Sequence, residues 1–309
     1  MFVLVTGGAG FIGSHSVEAL LASGAKVRVL DNLSSGHLQN LSARRNALEF
    51  VEGDVRDLAC VERCMQGITH VLHLAAQVSV PASIKEPLHS HSVNSTGFMH
   101  VLDAARRHGV QRMVYASSAA VYGVPAVLPL TEASAVMPLS PYGLEKLVND
   151  YAAKLYSDLY DFSAIGLRYF NVYGPRQDPR SPYSGVISKF ADWAMQGEDF
   201  TVYGEGLQTR DFIYVGDIAR ANVAALQSSA RGIVNVATGR SVTLLELAKA
   251  FEASVARGIM VHHAPAREGD VPHSSVVPQR MRDELAIGDT VALEDGLGRL
   301  IRHLRSAHA

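Results

Sequence analysis

Residues 7–13 read GGAGFIG, set between the apolar run FVLVT (2–6) and the helical pattern SHSVEALLASG (14–24). Glycine loses more backbone freedom on ordering than any other residue, so glycines at 7, 10 and 13 need a reason. A dinucleotide pyrophosphate supplies one, because it needs bare backbone N–H groups at the positive end of a first helix. Gly7 then permits the tight turn, Gly10 lets the backbone reach phosphate, and Gly13 lets helix and strand pack closely. A chain that opens this way is committed to a βαβ unit.

The following pattern extends that unit. Apolar runs at 26–31, 48–54, 69–76 and 112–118 alternate with helical stretches at 61–67, 95–109 and 142–160. Such alternation predicts a parallel sheet covered by helices on both faces, with right-handed crossovers. Residues 163–174 (SAIGLRYFNVYG) read as one strand running into a loop, and 178–185 as a loop. A helix over 186–197, a strand over 200–204, a strand end and helix over 211–229 and a sheet strand over 232–239 follow. A helical stretch at 241–255 and two further helices complete the chain. The expected fold class is α/β: a Rossmann-like, doubly wound parallel sheet with a smaller, partly interleaved α+β C-terminal substrate lobe. Residues 1–170 are expected to form the nucleotide-binding domain, with 211–239 contributing to it, and 171–210 and 240–309 the second lobe.

Composition narrows the partners. The 309 residues are 48% apolar and 19% charged, with 28 basic against 30 acidic side chains, which disfavours nucleic acid or an anionic membrane as partner. No apolar run approaches the roughly 18 to 20 residues that span a bilayer, and Met1 leads straight into a strand without a signal-peptide pattern. Cys60 and Cys64 share helical spacing and read as reduced thiols, so a cytoplasmic location is expected. The thirteen histidines are scattered, and His89/His91 and His262/His263 lack supporting ligands, so no metal site is expected.

Asp31 ends the second apolar run. A carboxylate there can accept both ribose hydroxyls and would repel a 2′-phosphate, which favours NAD over NADP. A second constellation pairs SSAAVYG (117–123) with YGLEK (142–146). Tyr142 and Lys146 lie four apart at a helix start and share a face. A phenol of ordinary pKa near 10 is a poor base at neutral pH, and a neighbouring ammonium plus a positive nicotinamide ring would lower it. Ser118, at the end of a strand, could relay the proton or brace a developing ketone.

With these motifs in hand, the chain resembles an extended short-chain dehydrogenase/reductase of the NAD-dependent sugar-nucleotide epimerase/dehydratase group. The resemblance runs through TGGAGFIGSH, LDNLSSG, VEGDVRD, HLAAQVSV, SSAAVYG, SPYGLEK, LRYFNVYGPRQDP, YGEGLQTRDFIYVGDIA, NVATG and REGDVPHS, nearly the whole chain. It implies an NAD site of Gly7, Gly10, Phe11, Ile12, Gly13, Asp31 and Asn32, with Asp54 and Val55 flanking the adenine. Leu74, Ala75 and Ala76 would line the cofactor path, and Phe170 would meet the nicotinamide side. Tyr142 and Lys146 would be the catalytic pair, with Ser118 as their partner.

The same resemblance implies a UDP-sugar pocket in the second lobe. Asn171 would meet the diphosphate region, with Val186 in a loop over it. Val202 and Tyr203 would lie along the uracil, Arg210 and Arg267 would clamp phosphates, and Asp270 would hold the uridine ribose. Related dehydratases and decarboxylating enzymes carry an acid next to the serine; here Ala119 and Ala120 stand there, which leaves simple 4-epimerisation. Ser274 occupies the position bordering the sugar C2, where its small size admits an N-acetyl group. Gly185 departs from the pattern, since many relatives carry a diphosphate-binding asparagine there. The expected activity is UDP-GlcNAc to UDP-GalNAc epimerisation, with a UDP-glucose-only or UDP-uronate epimerase and a non-catalytic NAD-binding regulator as alternatives. A homodimer through the helices near 95–109 and 142–160 is also expected, and the product is expected to feed a cell-surface polysaccharide.

Overall fold

The computed structural model of the chain describes residues 1–178, 185–266 and 271–308. In chain order its strands begin with β1 (Phe2–Thr6), β2 (Lys26–Asp31), β3 (Glu49–Glu52), β4 (His70–His73), β5 (Arg112–Ser118) and β6 (Ala164–Tyr169). Then come β7 (Asn171–Tyr173), β8 (Phe200–Tyr203), β9 (Thr209–Tyr214), β10 (Gly232–Val236), β11 (Ser241–Thr243) and β12 (Val261–Ala264).

Seven strands form one sheet in the order β10-β6-β5-β4-β1-β2-β3, every pair parallel. The chain runs outward from β1 to β3 and then crosses to β4 on the other side. That reversal leaves a crevice at the C-terminal ends of β1 and β4, where α/β sheets bind ligands. Side chains alternate across the sheet. Val3, Val5, Val27 and Val29 pack with Val17 and Leu20 of the helix Phe11–Ala22 and with Ile218 and Ala221 of the helix Val215–Gln227. Leu4, Leu30 and Val71 face the opposite layer, with Val61 and Met65 of the helix Leu58–Met65 and Val101 and Leu102 of the helix Gly97–Arg107.

A hydrogen-bond chain locks the first layer: the Tyr169 hydroxyl donates to Asn222 Oδ1 (2.6 Å), and Asn222 Nδ2 donates to Ser16 Oγ (2.9 Å). All three residues are buried, and satisfying polar groups there specifies one packing of the two helices on the sheet.

The second lobe has its own core. β9 lies between β7, to which it is parallel, and β11, to which it is antiparallel, while β8 pairs with β12. Phe190, Phe200 and Phe251 pack together under the helices Val186–Gln196 and Leu244–Val255, the first two rings stacked at 4.2 Å. Each such ring pair adds about 0.5–1.5 kcal/mol beyond area burial. Among the described residues, no helix is long and apolar enough to cross a membrane.

Three expectations change. The strand running into a loop expected over 163–174 is instead two strands in two sheets, β6 and β7, parted at Phe170, whose N–H donates to the Val236 carbonyl (3.2 Å). The apolar pattern is continuous through the break, so nothing local marks the change of sheet. The first helix starts at Phe11, three residues early, because Gly10 is its N-cap and FIG its first turn. The short helices Val80–Lys85 and Pro87–His91, the π turn Ser92–Thr96 and β12 were not expected at all.

Candidate active site

The crevice is made of backbone. Gly7 has φ +70°, and a Cβ there would lie 2.7 Å from the Ala75 nitrogen. A Cβ at Gly13 would overlap the Gly7 carbonyl, so close strand–helix packing excludes any side chain. Gly10 differs: a Cβ there would meet only the Gly7 oxygen, at 3.3 Å, and otherwise open space. Its bareness serves an approach from outside, next to the unsatisfied N–H groups of the first turn, which holds Phe11 and Ile12.

Asp31 is buried at the end of β2. Its Oδ2 accepts the Ala9 N–H and its Oδ1 the Leu33 N–H, both at 2.9 Å. A carboxylate has about four acceptor sites, so both oxygens can still accept ribose hydroxyls. Asn32 Nδ2 donates to Asp54 Oδ2 (2.8 Å). Arg56, hydrogen-bonded to Asp54, holds that carboxyl well below the usual range. Val55 is buried against Gly97. Leu74, Ala75 and Ala76 follow β4 across the crevice, with the Leu74 N–H on the Thr6 carbonyl (3.0 Å) and the Ala75 N–H on Thr6 Oγ1 (3.3 Å). An open glycine, free helix N–H groups and an acid at the second strand end fit a dinucleotide.

The second cluster sits where β5 ends. Ser140 caps the helix Pro141–Tyr160 by accepting the Gly143 N–H (3.1 Å), and Pro141 occupies the first helical position, where its fixed φ suits the helix. A Cβ at Gly143 would lie 2.8 Å from the Ala120 oxygen, so this helix start is pressed onto the turn after Ser118. The contact sets Tyr142 beside Ser118, whose hydroxyl acts on its phenol. Lys146 Nζ donates to the Ala116 carbonyl (2.9 Å) and lies 5.7 Å from the Tyr142 ring centre. Phe170 is buried nearby with Val121, Tyr122 and Ala237.

The electrostatics correct one expectation. Burial is the largest influence on Tyr142 and pushes its phenol up; the Ser118 hydroxyl pulls it down and the Glu145 carboxylate pushes it up. Burial pulls Lys146 down to about 8, against the raising effect of Asp150 and Glu145. Among the chain's own groups burial therefore outweighs the Ser118 hydroxyl, and Lys146, turned onto a backbone carbonyl, does not offset it.

A cleft of about 280 Å³ opens in the second lobe. Five residues expected at the substrate, Asn171, Val186, Val202, Tyr203 and Arg210, line it together. Asn171 Nδ2 donates to the Asp211 carbonyl (2.9 Å), and Arg210 Nη1 to its neighbour's carbonyl at Thr209 (2.9 Å). The fully buried Asp211 carboxylate accepts the N–H groups of Thr238, Gly239 and Arg240, which pins β9 to the turn before β11. Ser274 does not line this cleft; its N–H donates to Thr209, and its carbonyl accepts from Ser241 Oγ. Arg267 and Asp270 lie outside the described residues. Lys189, Trp193, Gln177 and Gln208 also line the cleft and were not expected there. The spacing of Val186, Lys189 and Trp193 along one helix face was the signal available for two of them.

Residues 3–237 match the model of the NAD dependent epimerase/dehydratase family. A UDP-glucose 4-epimerase of Mycolicibacterium smegmatis is 36% identical over 311 residues, covering 99% of both chains. A UDP-N-acetylglucosamine 4-epimerase of Methanobrevibacter ruminantium, solved in complex with UDP-N-acetylmuramic acid, superposes with a TM-score of 0.95 at 37% identity, over 99% of this chain and 98% of that one. A UDP-glucose 4-epimerase of Thermus thermophilus in complex with NAD gives 0.91 at 39% identity, over 99% and 100%. A bare-backbone crevice, a serine–tyrosine–lysine cluster at the same sheet end and likeness along the full chain lead to one conclusion: the chain belongs to the NAD-dependent epimerase/dehydratase family, as an NAD-using enzyme of the epimerase class.

Proposed function

We propose that this epimerase inverts C4 of UDP-N-acetylglucosamine to give UDP-N-acetylgalactosamine, with UDP-glucose as a second substrate. The observation that carries the reading is the meeting of Ser118, Tyr142 and Lys146, with alanines and not an acid at the two positions after the serine, Ala119 and Ala120. NAD, when bound, supplies a reversible acceptor for the C4 hydrogen and two electrons, and a positive ring that favours the phenolate. Tyr142 takes the C4 hydroxyl proton and returns it after the sugar has turned. Ser118, beside the tyrosine, gives its one hydroxyl proton to the C4 oxygen as a brace, while Lys146 holds positive charge near the Tyr142 ring. Arg210 and Asn171 grip the diphosphate, so the sugar can rotate while the nucleotide stays. Arginine suits the task because its fork of donors matches phosphate oxygens.

Likeness to the M. ruminantium enzyme supports the N-acetylated substrate. The T. thermophilus and M. smegmatis relatives, both named UDP-glucose 4-epimerases, favour UDP-glucose as the second reading. Turnover of UDP-GlcNAc, UDP-glucose and UDP-glucuronate by one preparation separates them. The highest kcat/KM is expected for UDP-GlcNAc; turnover of UDP-glucose alone overturns the assignment.

A homodimer is part of the proposal. Leu144, Val148, Tyr151, Leu155 and Leu159 form an exposed apolar stripe along the helix Pro141–Tyr160, at the three- and four-residue spacing of a helix–helix seam. Leu155→Arg should then give monomers in sedimentation, and an unchanged mass would remove the stripe from the interface. Cytoplasmic location rests on the two free, buried cysteines.

A further inference from the structure

The helix that carries Tyr142 and Lys146 also carries two carboxylates beside the lysine. Glu145 precedes it and Asp150 follows one turn on. Glu145, Lys146, Asp150 and Arg168 are 4%, 3%, 5% and 5% exposed, two acids and two bases shut away from water. A charge in such a place is costly unless it is balanced and hydrogen-bonded. Asp150 is answered in full: Arg168 donates to its Oδ2 from Nε (3.1 Å) and Nη2 (3.0 Å), and the Tyr115 hydroxyl to its Oδ1 (3.2 Å).

Glu145 is held differently. Its Oε2 accepts Ser90 Oγ (2.7 Å) and Asn94 Nδ2 (2.6 Å), and no cation is paired with it among the described residues. Asn94 sits in the π turn Ser92–Thr96, with its side chain fixed on Gln77: Oδ1 accepts the Gln77 N–H and Nδ2 donates to the Gln77 carbonyl, both at 2.8 Å. Lys146 in turn rests on a neutral carbonyl. Asp150 acts on the lysine too but is shared with Arg168, so Glu145 is the buried carboxylate beside Lys146 that no other cation claims among the described residues.

We propose that Glu145 is a positioning residue for the epimerisation: clamped by Ser90 and Asn94, its carboxylate keeps Lys146 an ammonium and sets the pH range in which Tyr142 exchanges protons with the sugar. The inference rests on the assignment of Tyr142 and Lys146 above. The titratable groups around it are Tyr142, Lys146 and Asp150 on its own helix, Arg168 from β6, Tyr115 from β5 and His73 from β4. The helices Val80–Lys85 and Pro87–His91, packed on this one, hold Lys85, His89 and His91, with Glu86 between them, at the surface. His73 is pulled down to about 3, first by burial and then by Lys146, so it is neutral where the enzyme works. Glu145 pushes up both Tyr142 and Lys146, so removing its charge lets both titrate at lower pH.

The test is the pH profile of kcat/KM for UDP-GlcNAc and UDP-glucose. Glu145→Gln keeps the shape and removes the charge; both limbs should move to lower pH by about half a unit or more. Glu145→Asp and Ser90→Ala retain the charge; their turnover should fall roughly two- to fivefold with the limbs in place. A Glu145→Gln profile superimposable on the wild type overturns the proposal. So does failure of Glu145→Gln and Glu145→Met to fold, which would make the residue structural. A Tyr142→Phe enzyme of undiminished turnover removes the base and this proposal with it. An inactive Tyr142→Phe beside an unmoved Glu145→Gln profile overturns this proposal alone.

Discussion

The crevice at the ends of β1 to β4 and the cleft of the second lobe both suit a diphosphate, and they are built by opposite means. The crevice is backbone: Gly7, Gly10 and Gly13 fall within seven residues, and any side chain at Gly13 would collide with the Gly7 carbonyl. The cleft is side chains, gathered from β7, the helix Val186–Gln196, β8 and β9. A backbone site tolerates almost no substitution, because sterics leave no alternative geometry. A side-chain site can exchange members one at a time, as Gly185 illustrates, since a Cβ added there meets nothing within 4 Å. In this family the shared cofactor is expected at the first kind of site and the variable sugar nucleotide at the second.

The largest expected effect falls between the two regions. Tyr142→Phe should lower turnover by about a thousandfold or more, the range of a lost general acid–base, while NAD and UDP-sugar binding persist. Rapid-quench turnover alongside calorimetric binding measures this, and turnover within tenfold of wild type would sink the assignment. Next comes Gly13→Val. Because its side chain would strike the Gly7 carbonyl, NAD affinity should fall by about a hundredfold or more, with UDP binding to the cleft unchanged. Loss of both affinities together would break the contrast between the sites.

Arg210→Ala tests the other side. Removing one charged donor to phosphate costs about 1.5–3 kcal/mol, so KM for the UDP-sugar should rise roughly ten- to a hundredfold with NAD affinity intact. An unchanged KM would take Arg210 out of the site. The smallest effect is a pH lever beneath the crevice. His73 hydrogen-bonds Thr6 (2.8 Å) and is pulled down to about 3, mainly by burial, against 6.5 for a free histidine. Between those values the unfolded chain binds the extra proton, so stability falls as pH drops from 6.5 toward 3, by about 1.4 kcal/mol per unit at most. His73→Gln should flatten the acid side of a melting-temperature profile; an unaltered slope would mean the histidine is protonated in the fold.

How much was legible from the residues follows the same division. Gly7, Gly10, Gly13 and Asp31 could be read because strand–glycine–helix geometry is set within one βαβ unit. Tyr142 and Lys146 could be read because four residues is one helical turn. Lys189 and Trp193 share a helix face with Val186, but that spacing alone does not say which wall the face forms, so their place in the cleft follows from the position expected for Val186. Glu145 was invisible as a partner of Ser90 and Asn94, which lie 55 and 51 positions away.

The amino-acid order alone determined the parallel sheet, the crevice at its switch point and the shared helix face of Tyr142 and Lys146, because sterics and helical periodicity act over a few residues. Tertiary structure decided the rest: that 163–174 divides between two sheets, that distant segments close one cleft, that Lys146 lies on the Ala116 carbonyl, and that Glu145 is held by Ser90 and Asn94. Burial makes the difference. It turns the influence on the Tyr142 phenol upward, and burial belongs to the packed whole rather than to any stretch of the chain.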